Sequence, residues 1–404
     1  MQATLLPVVS RDPTGSVPDA LPVGSRLTKT PIRVSYLIDD LSRAGTESQL
    51  LALIRALDRT RFEPSLVLLN GEGELSRSLE PADCPVLRLG VTRLVGVRSV
   101  SAAKRLWSFW RATKPDIAQI YFNDSSYFGV PVAKLAGVRR VVRVRNNLGY
   151  WQTRKHRWLG RMVRPLVDAY LTNSELGRDA IRTTERVRAE RVTVIENGVD
   201  LERYSRSGWV ALAESDIGAD SRRESATRKI GCVANLRAVK NIDGLMRAAK
   251  LVLNRFPDVV FEVAGEGEQR AALEALHREL GLGGRLVLRG VTVDVPAFLR
   301  SVDVAVLPSH SEGMSNAVLE YMAAGRAVVA TDVGANARLI EHGVSGLIVP
   351  PKDEPALADA IGKVIEDPHL AARFGREARR RVERDHSREA MVARFEAFYR
   401  RLVQ

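Results

Sequence analysis

Residues 302–331 read Val-Asp-Val-Ala-Val-Leu-Pro-Ser-His-Ser-Glu-Gly-Met-Ser-Asn-Ala-Val-Leu-Glu-Tyr-Met-Ala-Ala-Gly-Arg-Ala-Val-Val-Ala-Thr, and the stretch carries its own punctuation. Val302 to Leu307 is a short β-branched run of the kind that forms a buried parallel strand. Ser315 or Asn316 can cap a helix whose apolar positions Val318, Leu319 and Met322 fall on one side. Gly325 supplies the helix stop, and Ala327 to Thr331 is the next strand. Strand, Gly-containing loop, helix and strand make one βαβ unit. Open α/β sheets bind ligands at the carboxyl ends of such strands.

The chemistry offered there is specific. The helix start presents backbone N–H groups of Gly313, Met314 and Ser315 with about half an elementary positive charge, which favours a phosphate. Glu312 lies in the loop before the cap, and Glu320 follows about two turns later. Carboxylates accept hydrogen bonds from vicinal hydroxyls, so two of them flanking a phosphate site suit a hexose and a ribose. Taken alone, the spacing favours a surface helix with two unremarkable glutamates.

The wider pattern reverses that reading. Glu312-Gly313-x-Ser315-Asn316-x-x-x-Glu320 is followed by Met322-Ala323-Ala324-Gly325-Arg326-Ala327-Val328-Val329-Ala330-Thr331-Asp332-Val333-Gly334. Together they closely resemble the donor-site signature of the retaining glycosyltransferase family 4. The resemblance spans residues 32–402 and is densest in the second half. It implies an α/β protein of the GT-B fold, with two Rossmann-like doubly wound parallel-sheet domains facing a central cleft.

Composition is consistent with that plan. A chain of 404 residues is long enough for two large domains, and no run reaches the apolar length that spans a bilayer. Cys84 and Cys232 fall in different halves, so neither a disulfide framework nor a metal cluster is expected, and a reducing cytoplasmic compartment is. The net charge of +13 calls for an anionic partner: nucleic acid, acidic lipid or a phosphorylated substrate. No recognition-helix or RNA-binding signature appears, and nucleic acid would leave Glu312 and Glu320 unexplained.

Residues 1–30 read as a disordered leader. Strands and helices then alternate through 31–202, the expected acceptor-side domain, which argues a parallel sheet covered on both faces. The loop after the first strand, Asp39 to Glu47, brings backbone N–H groups to a helix start at Gly45. A plain tight turn and a donor-facing loop describe it equally; the resemblance places Gly45 at the reaction centre, although Ala44 stands where the family carries another glycine. Glu196-Asn197-Gly198-Val199-Asp200 resembles the family's boundary motif, and 203–228 reads as a linker.

The nucleotide-sugar domain is expected over 229–386. There a strand runs out into a loop carrying Arg237 and Lys240, a fork and a point charge suited to a diphosphate. Gly265 lets a ligand approach the backbone, and the resemblance puts Val291 beside the nucleobase. Gly334-Ala335-Asn336-Ala337-Arg338 departs from the family's Gly-Gly-Asn-Pro-Glu, so the sugar hydroxyls read there stay open. The last segment, 387–404, is expected to return to the first domain as a helix.

The resemblance implies a retaining transfer from a nucleotide diphosphate-sugar, UDP- or GDP-linked, to a glycan or lipid-linked acceptor, with no cofactor and no metal. Glu312 would hold the sugar and Glu320 the ribose; Arg237, Lys240 and the helix at Ser315 would meet the charge on the departing diphosphate. Many relatives carry a His facing the sugar; the comparable strand end here reads Arg143-Val144-Arg145-Asn146, with His156 the nearest imidazole on a later helix. Arg145 and Asn146 are expected near the acceptor. A basic stretch with interleaved aromatics, 139–164, reads either as a membrane-facing surface at the inner face of the cell membrane or as a solvated face. A GT-B epimerase or phosphorylase would share the fold; the first needs no acceptor, the second needs a pyridoxal-binding lysine.

Overall fold

The computed structural model describes residues 30–404 apart from 43, 95, 147–148, 150–152, 205–226 and 293. The leader expected over 1–30 and most of the linker expected over 203–228 therefore lie outside the described residues.

The first domain opens with β1 (Ile32–Ile38), α1 (Gly45–Ala56), β2 (Phe62–Leu68), α2 (Glu74–Leu79) and β3 (Val86–Arg88). Next come α3 (Val97–Thr113), β4 (Ile117–Tyr121), α4 (Asn123–Leu135) and β5 (Arg140–Val144). α5 (Arg154–Val163), β6 (Ala169–Thr172), α6 (Glu175–Glu185) and β7 (Val192–Val194) complete it. The second domain begins with β8 (Lys229–Val233), α7 (Ile242–Arg255), β9 (Val260–Ala264), α8 (Arg270–Glu279), β10 (Leu286–Gly290) and α9 (Val295–Arg300). It continues through β11 (Val304–Leu307), α10 (Asn316–Ala323), β12 (Ala327–Thr331), α11 (Asn336–Leu339), β13 (Leu347–Val349) and α12 (Glu354–Glu366). Two helices, α13 (Pro368–Asp385) and α14 (Arg388–Val403), end the chain.

The seven-stranded sheet runs β3-β2-β1-β4-β5-β6-β7 and the six-stranded sheet β10-β9-β8-β11-β12-β13. The strand pairs in both are parallel. The order reverses between β1 and β4 in one sheet and between β8 and β11 in the other, so each domain has a crevice at its switch point. All of β11 is buried, as its unbroken apolar run requires of a strand covered on both faces. α10 starts where the Ser315 hydroxyl accepts the Val318 N–H and stops at Gly325, whose φ of 57° suits glycine. Its Val318, Leu319, Tyr321 and Met322 are all buried, so the helix is clamped in place rather than laid on a surface.

α13 packs Leu370, Phe374, Ala378 and Val382 into the second domain, whereas α14 packs Met391, Phe398 and Tyr399 with α1 and the first sheet. The Tyr399 hydroxyl donates to Gln119 Oε1 at 2.9 Å, and Gln119 Nε2 donates to the Tyr121 hydroxyl at 2.6 Å. This buried chain is satisfied link by link, so it fixes α14 against β4. The two strands of backbone that pass between domains run side by side. Val199 N–H donates to His386 O at 2.9 Å, Arg388 N–H donates to Val199 O at 3.0 Å, and Arg388 pairs with Asp200 at 2.8 Å.

Candidate active site

The second-domain crevice brings the expected residues together from two distant loops. Lys240, just after β8, donates from Nζ to Glu312 Oε1 at 2.6 Å, across the switch point. The Ser309 hydroxyl donates to the same oxygen at 2.7 Å. Glu312 is thus oriented through one oxygen, and its carboxylate and the lysine are both largely shielded from water. Arg237 is exposed at the start of the same short turn. Its positive charge acts on Glu47 of α1, whose carboxyl burial pushes up and Arg237 draws down. Gly265 has φ 153°, and a Cβ there would lie 1.9 Å from Ala234 O. The close approach this glycine permits is made by the protein's own backbone, where β8 and β9 end. Val291, directly after the edge strand β10, is exposed.

Further along α10, the half-buried Glu320 faces Arg203 and Tyr204. Burial pushes its carboxyl up to about 7, against the attraction of Arg203. The Tyr204 hydroxyl beside it is buried without a hydrogen-bond partner among the described residues.

Gly313 to Asn316 is also where the two domains touch. A Cβ on Gly313 would come within 2.2 Å of Asn146 O, so only glycine admits this approach. Met314 is buried; its Sδ accepts the Asn197 N–H at 3.2 Å. Asn316 joins three segments: its Nδ2 donates to Gly45 O at 3.0 Å, while its Oδ1 accepts from Asn197 Nδ2 at 2.7 Å and Gln49 Nε2 at 3.2 Å. Gln49 in turn exchanges two bonds with the Gly198 backbone, at 2.8 and 3.2 Å. Sequence reasoning offered Asn316 as a second choice for a cap and gave Gln49 no role. Ser315 alone caps the helix, which leaves Asn316 to bind the first domain.

The first-domain crevice is a cavity of about 380 Å³ whose polar lining includes Asp39, Asn123, Asp124, Arg145, Asn146 and His156. Arg145 and Asn146 thus share one cavity. The Arg145 guanidinium is turned to the wall: Nη1 donates to Thr184 Oγ1 at 2.8 Å and reaches Glu185 Oε1 at 3.3 Å. Arg143 donates to the other oxygen of Glu185 at 2.6 Å, so one buried carboxylate serves two buried guanidiniums. His156 lies on α5, yet it lines the same cavity. Its Nδ1 accepts the Thr153 N–H at 3.2 Å in a capping box, so a neutral ring carries its proton on Nε2.

Comparisons with known proteins bear on the family and the fold. Residues 227–367 match the family model described as Glycosyl transferases group 1, and 43–203 match Glycosyltransferase Family 4. The chain is 29% identical over 233 residues to an alpha-D-kanosaminyltransferase of Streptomyces kanamyceticus, covering 55% of this chain and 57% of that one. It is 26% identical over 281 residues to a UDP-Gal:alpha-D-GlcNAc-diphosphoundecaprenol alpha-1,3-galactosyltransferase of Escherichia coli, covering 67% and 72%. With the lipopolysaccharide core mannosyltransferase LpcC of Rhizobium leguminosarum it shares 32% over 216 residues, covering 52% and 60%. The matches thus span between about half and three-quarters of these relatives' lengths. Among solved structures, Anabaena HepE in complex with UDP and glucose aligns at a TM-score of 0.78 and 20% identity, covering 92% of this chain and 100% of that one. Sucrose-phosphate synthase from Thermosynechococcus elongatus aligns at 0.75 and 18%, covering 92% and 99%. Likenesses at this level of identity establish the shared GT-B fold.

Proposed function

The chain belongs to the group 1 and family 4 glycosyltransferases, and from that premise we propose that it moves a sugar, with retention, from a UDP- or GDP-sugar to a glycan or lipid-linked acceptor. The observation that carries this reading is the Lys240–Glu312 pair spanning the second switch point, with Arg237 beside it and α10 aimed past it. Arg237, Lys240 and the α10 N-terminus meet charge as it develops on the leaving diphosphate, the work a divalent metal does in other sites. Glu312 holds the hexose and Glu320 the ribose. In a front-face substitution the C1–O bond to phosphate breaks as the acceptor oxygen bonds C1 on the same face. The acceptor proton passes to the departing phosphate oxygen. Relatives that act in lipopolysaccharide core synthesis and on a diphosphoundecaprenol acceptor support a place in cell-surface polysaccharide or glycolipid synthesis.

A screen of nucleotide sugars by thermal shift, followed by release of nucleoside diphosphate in the presence of EDTA, tests the proposal. A bound donor raises the melting temperature by mass action. The proposal predicts one preferred donor and a product of unchanged anomeric configuration by NMR; an inverted product would refute retention.

Glu320 adds a pH dependence. Its carboxyl accepts ribose hydroxyls best when ionised, but burial has raised it to about 7. Below that pH, ionising it costs about 1.4 kcal/mol per unit, so donor affinity falls about tenfold per unit. The diphosphate of a nucleotide sugar lacks the terminal phosphate that titrates near 6 and does not blur the profile. Calorimetry from pH 5.5 to 8.5 should show affinity rising to a plateau above 7, and Glu320→Gln should flatten it. A flat wild-type profile removes Glu320 from the ribose.

The basic stretch has a narrower membrane role than its composition implied. Arg143 and Arg145 are buried on Glu185, Arg140 donates to Leu402 O, and Arg164 donates to Arg186 O. Tyr150 and Trp151 lie outside the described residues. What remains is α5, which exposes Arg154, Lys155, Arg157 and Arg161 with Trp158 and Met162. No helix among the described residues is long and apolar enough to cross a membrane, so association with an anionic leaflet would rest on this face. Each of its charges contributes about 1 kcal/mol near such a surface, screened by salt. Replacing Arg154, Lys155 and Arg157 together by glutamate should abolish co-sedimentation with anionic vesicles at low salt; equal sedimentation of both proteins would count against it.

A further inference from the structure

The acceptor cavity has a chemistry that the donor site does not explain. It opens between the carboxyl ends of β1, β4 and β5, and the described residues bring it two carboxylates, Asp39 from the loop after β1 and Asp124 from the first turn of α4. Asp39 follows β1 directly. Its Oδ1 accepts the Ser125 N–H at 3.0 Å and the Ser125 hydroxyl at 2.5 Å, so α4 is capped by a residue from the neighbouring strand. The helix has no side-chain cap of its own. Phe122 stands at that position with φ 58° and ψ 172°, a conformation strained for any residue but glycine. That strained turn sets Asn123 and Asp124 on the cavity wall.

Among the described residues only Oδ1 of Asp39 is hydrogen-bonded to a side chain or N–H group. Burial pushes the carboxyl up to about 6 although Ser125 bonds stabilise its ionised form. The charged group is therefore short of hydrogen-bond donors, and ligand hydroxyls would supply them. An anion would fare worse. It would meet Asp39 and Asp124, and the guanidinium that the described residues bring to the wall, that of Arg145, is already shared with Glu185. Outside the cavity, α5, whose first turn lends His156 to it, exposes the positive charges of Arg154, Lys155 and Arg157.

Resting on the transfer reading above, we infer that this cavity receives the acceptor as a neutral sugar, with Asp39 and Asp124 accepting its hydroxyls, and that any phosphate of the acceptor lies outside on α5. Asp39 is then an acceptor-binding residue, in contact with substrate. Nothing in the spacing of Asp39 and Asp124, which are 85 residues apart in the chain, announces the pair.

Saturation-transfer NMR on the full chain tests it with methyl α-glucoside, methyl α-galactoside, methyl α-mannoside and the 6-phosphate of each as probes. The expected result is that a neutral glycoside binds more tightly than its 6-phosphate. Asp39→Asn, which keeps an oxygen for Ser125, should weaken that binding tenfold or more, as loss of a charge-assisted hydrogen bond does. Asp124→Asn, at an exposed position, should weaken it several-fold and serves if Asp39→Asn does not fold. Tighter binding of the 6-phosphates, no binding of any glycoside, or unchanged binding in the folded variants would overturn the inference. UDP and GDP titrated into the same samples separate the two claims. Undiminished diphosphate binding alongside any of those results would fault the acceptor assignment alone, and wild-type protein that binds neither diphosphate would fault the donor reading.

Discussion

Glu312→Gln should lower transfer by about a hundredfold or more while leaving the fold and the melting temperature nearly unchanged. The amide fills the same space, and the Ser309 hydroxyl can still donate to its oxygen. What is lost is charge. Lys240 Nζ, 2.6 Å from Glu312 Oε1, no longer faces a carboxylate, and the hexose hydroxyls lose a charged acceptor. Such contacts strengthen as the sugar ring becomes electron-poor, so the loss should appear in kcat more than in donor KM. Turnover within a few-fold of wild type in the purified variant would remove Glu312 from the site.

Arg237→Ala and Lys240→Ala form the second large prediction. On the proposed reading both cations face the diphosphate before and after transfer, so each variant should weaken nucleoside diphosphate binding as well as the rate, by about ten- to a hundredfold in affinity for a lost charged hydrogen bond. The two should differ in a way the structure dictates. Arg237 is exposed, and removing it deletes one contact. Lys240 also holds Glu312, so its loss unpins the carboxylate and should cost more in kcat. Lys240→Ala combined with Glu312→Gln should then be less damaging than the two effects added, with a coupling of about 0.5–3 kcal/mol. Simple additivity would mean that the ion pair does not act as a unit.

Much of this was legible in the chain because local and global signals agree. In 302–331 a β-branched run, a serine cap, an apolar helix face and a terminal glycine each point to one βαβ unit, and α10 is built that way. The leading helix α1 buries Leu50, Leu53 and Ile54 as its spacing requires. The losses have physical causes. α4 carries no start signal in the sequence, because a strained Phe122 and not a serine precedes it, and its body holds Pro131. The box that starts α5 uses Thr153 with His156, where the sequence signature asks for glutamate or glutamine. Partners far apart in the chain carry no local signal at all: Lys240 with Glu312, Asn316 with Gly45 and Gln49, Asp39 with Ser125. Each pair sits at a switch point or a domain contact, so it follows from strand order and not from any short stretch.

The donor site of the second domain is where nucleoside diphosphate binding decides the proposed function. Titration calorimetry of UDP and GDP into the wild-type chain and into Arg237→Ala and Lys240→Ala tests it most directly. The account predicts saturable binding of one diphosphate by the wild type, weakened at least tenfold in both variants. Equal affinity in all three proteins, or no binding of either diphosphate by the wild type, would contradict it.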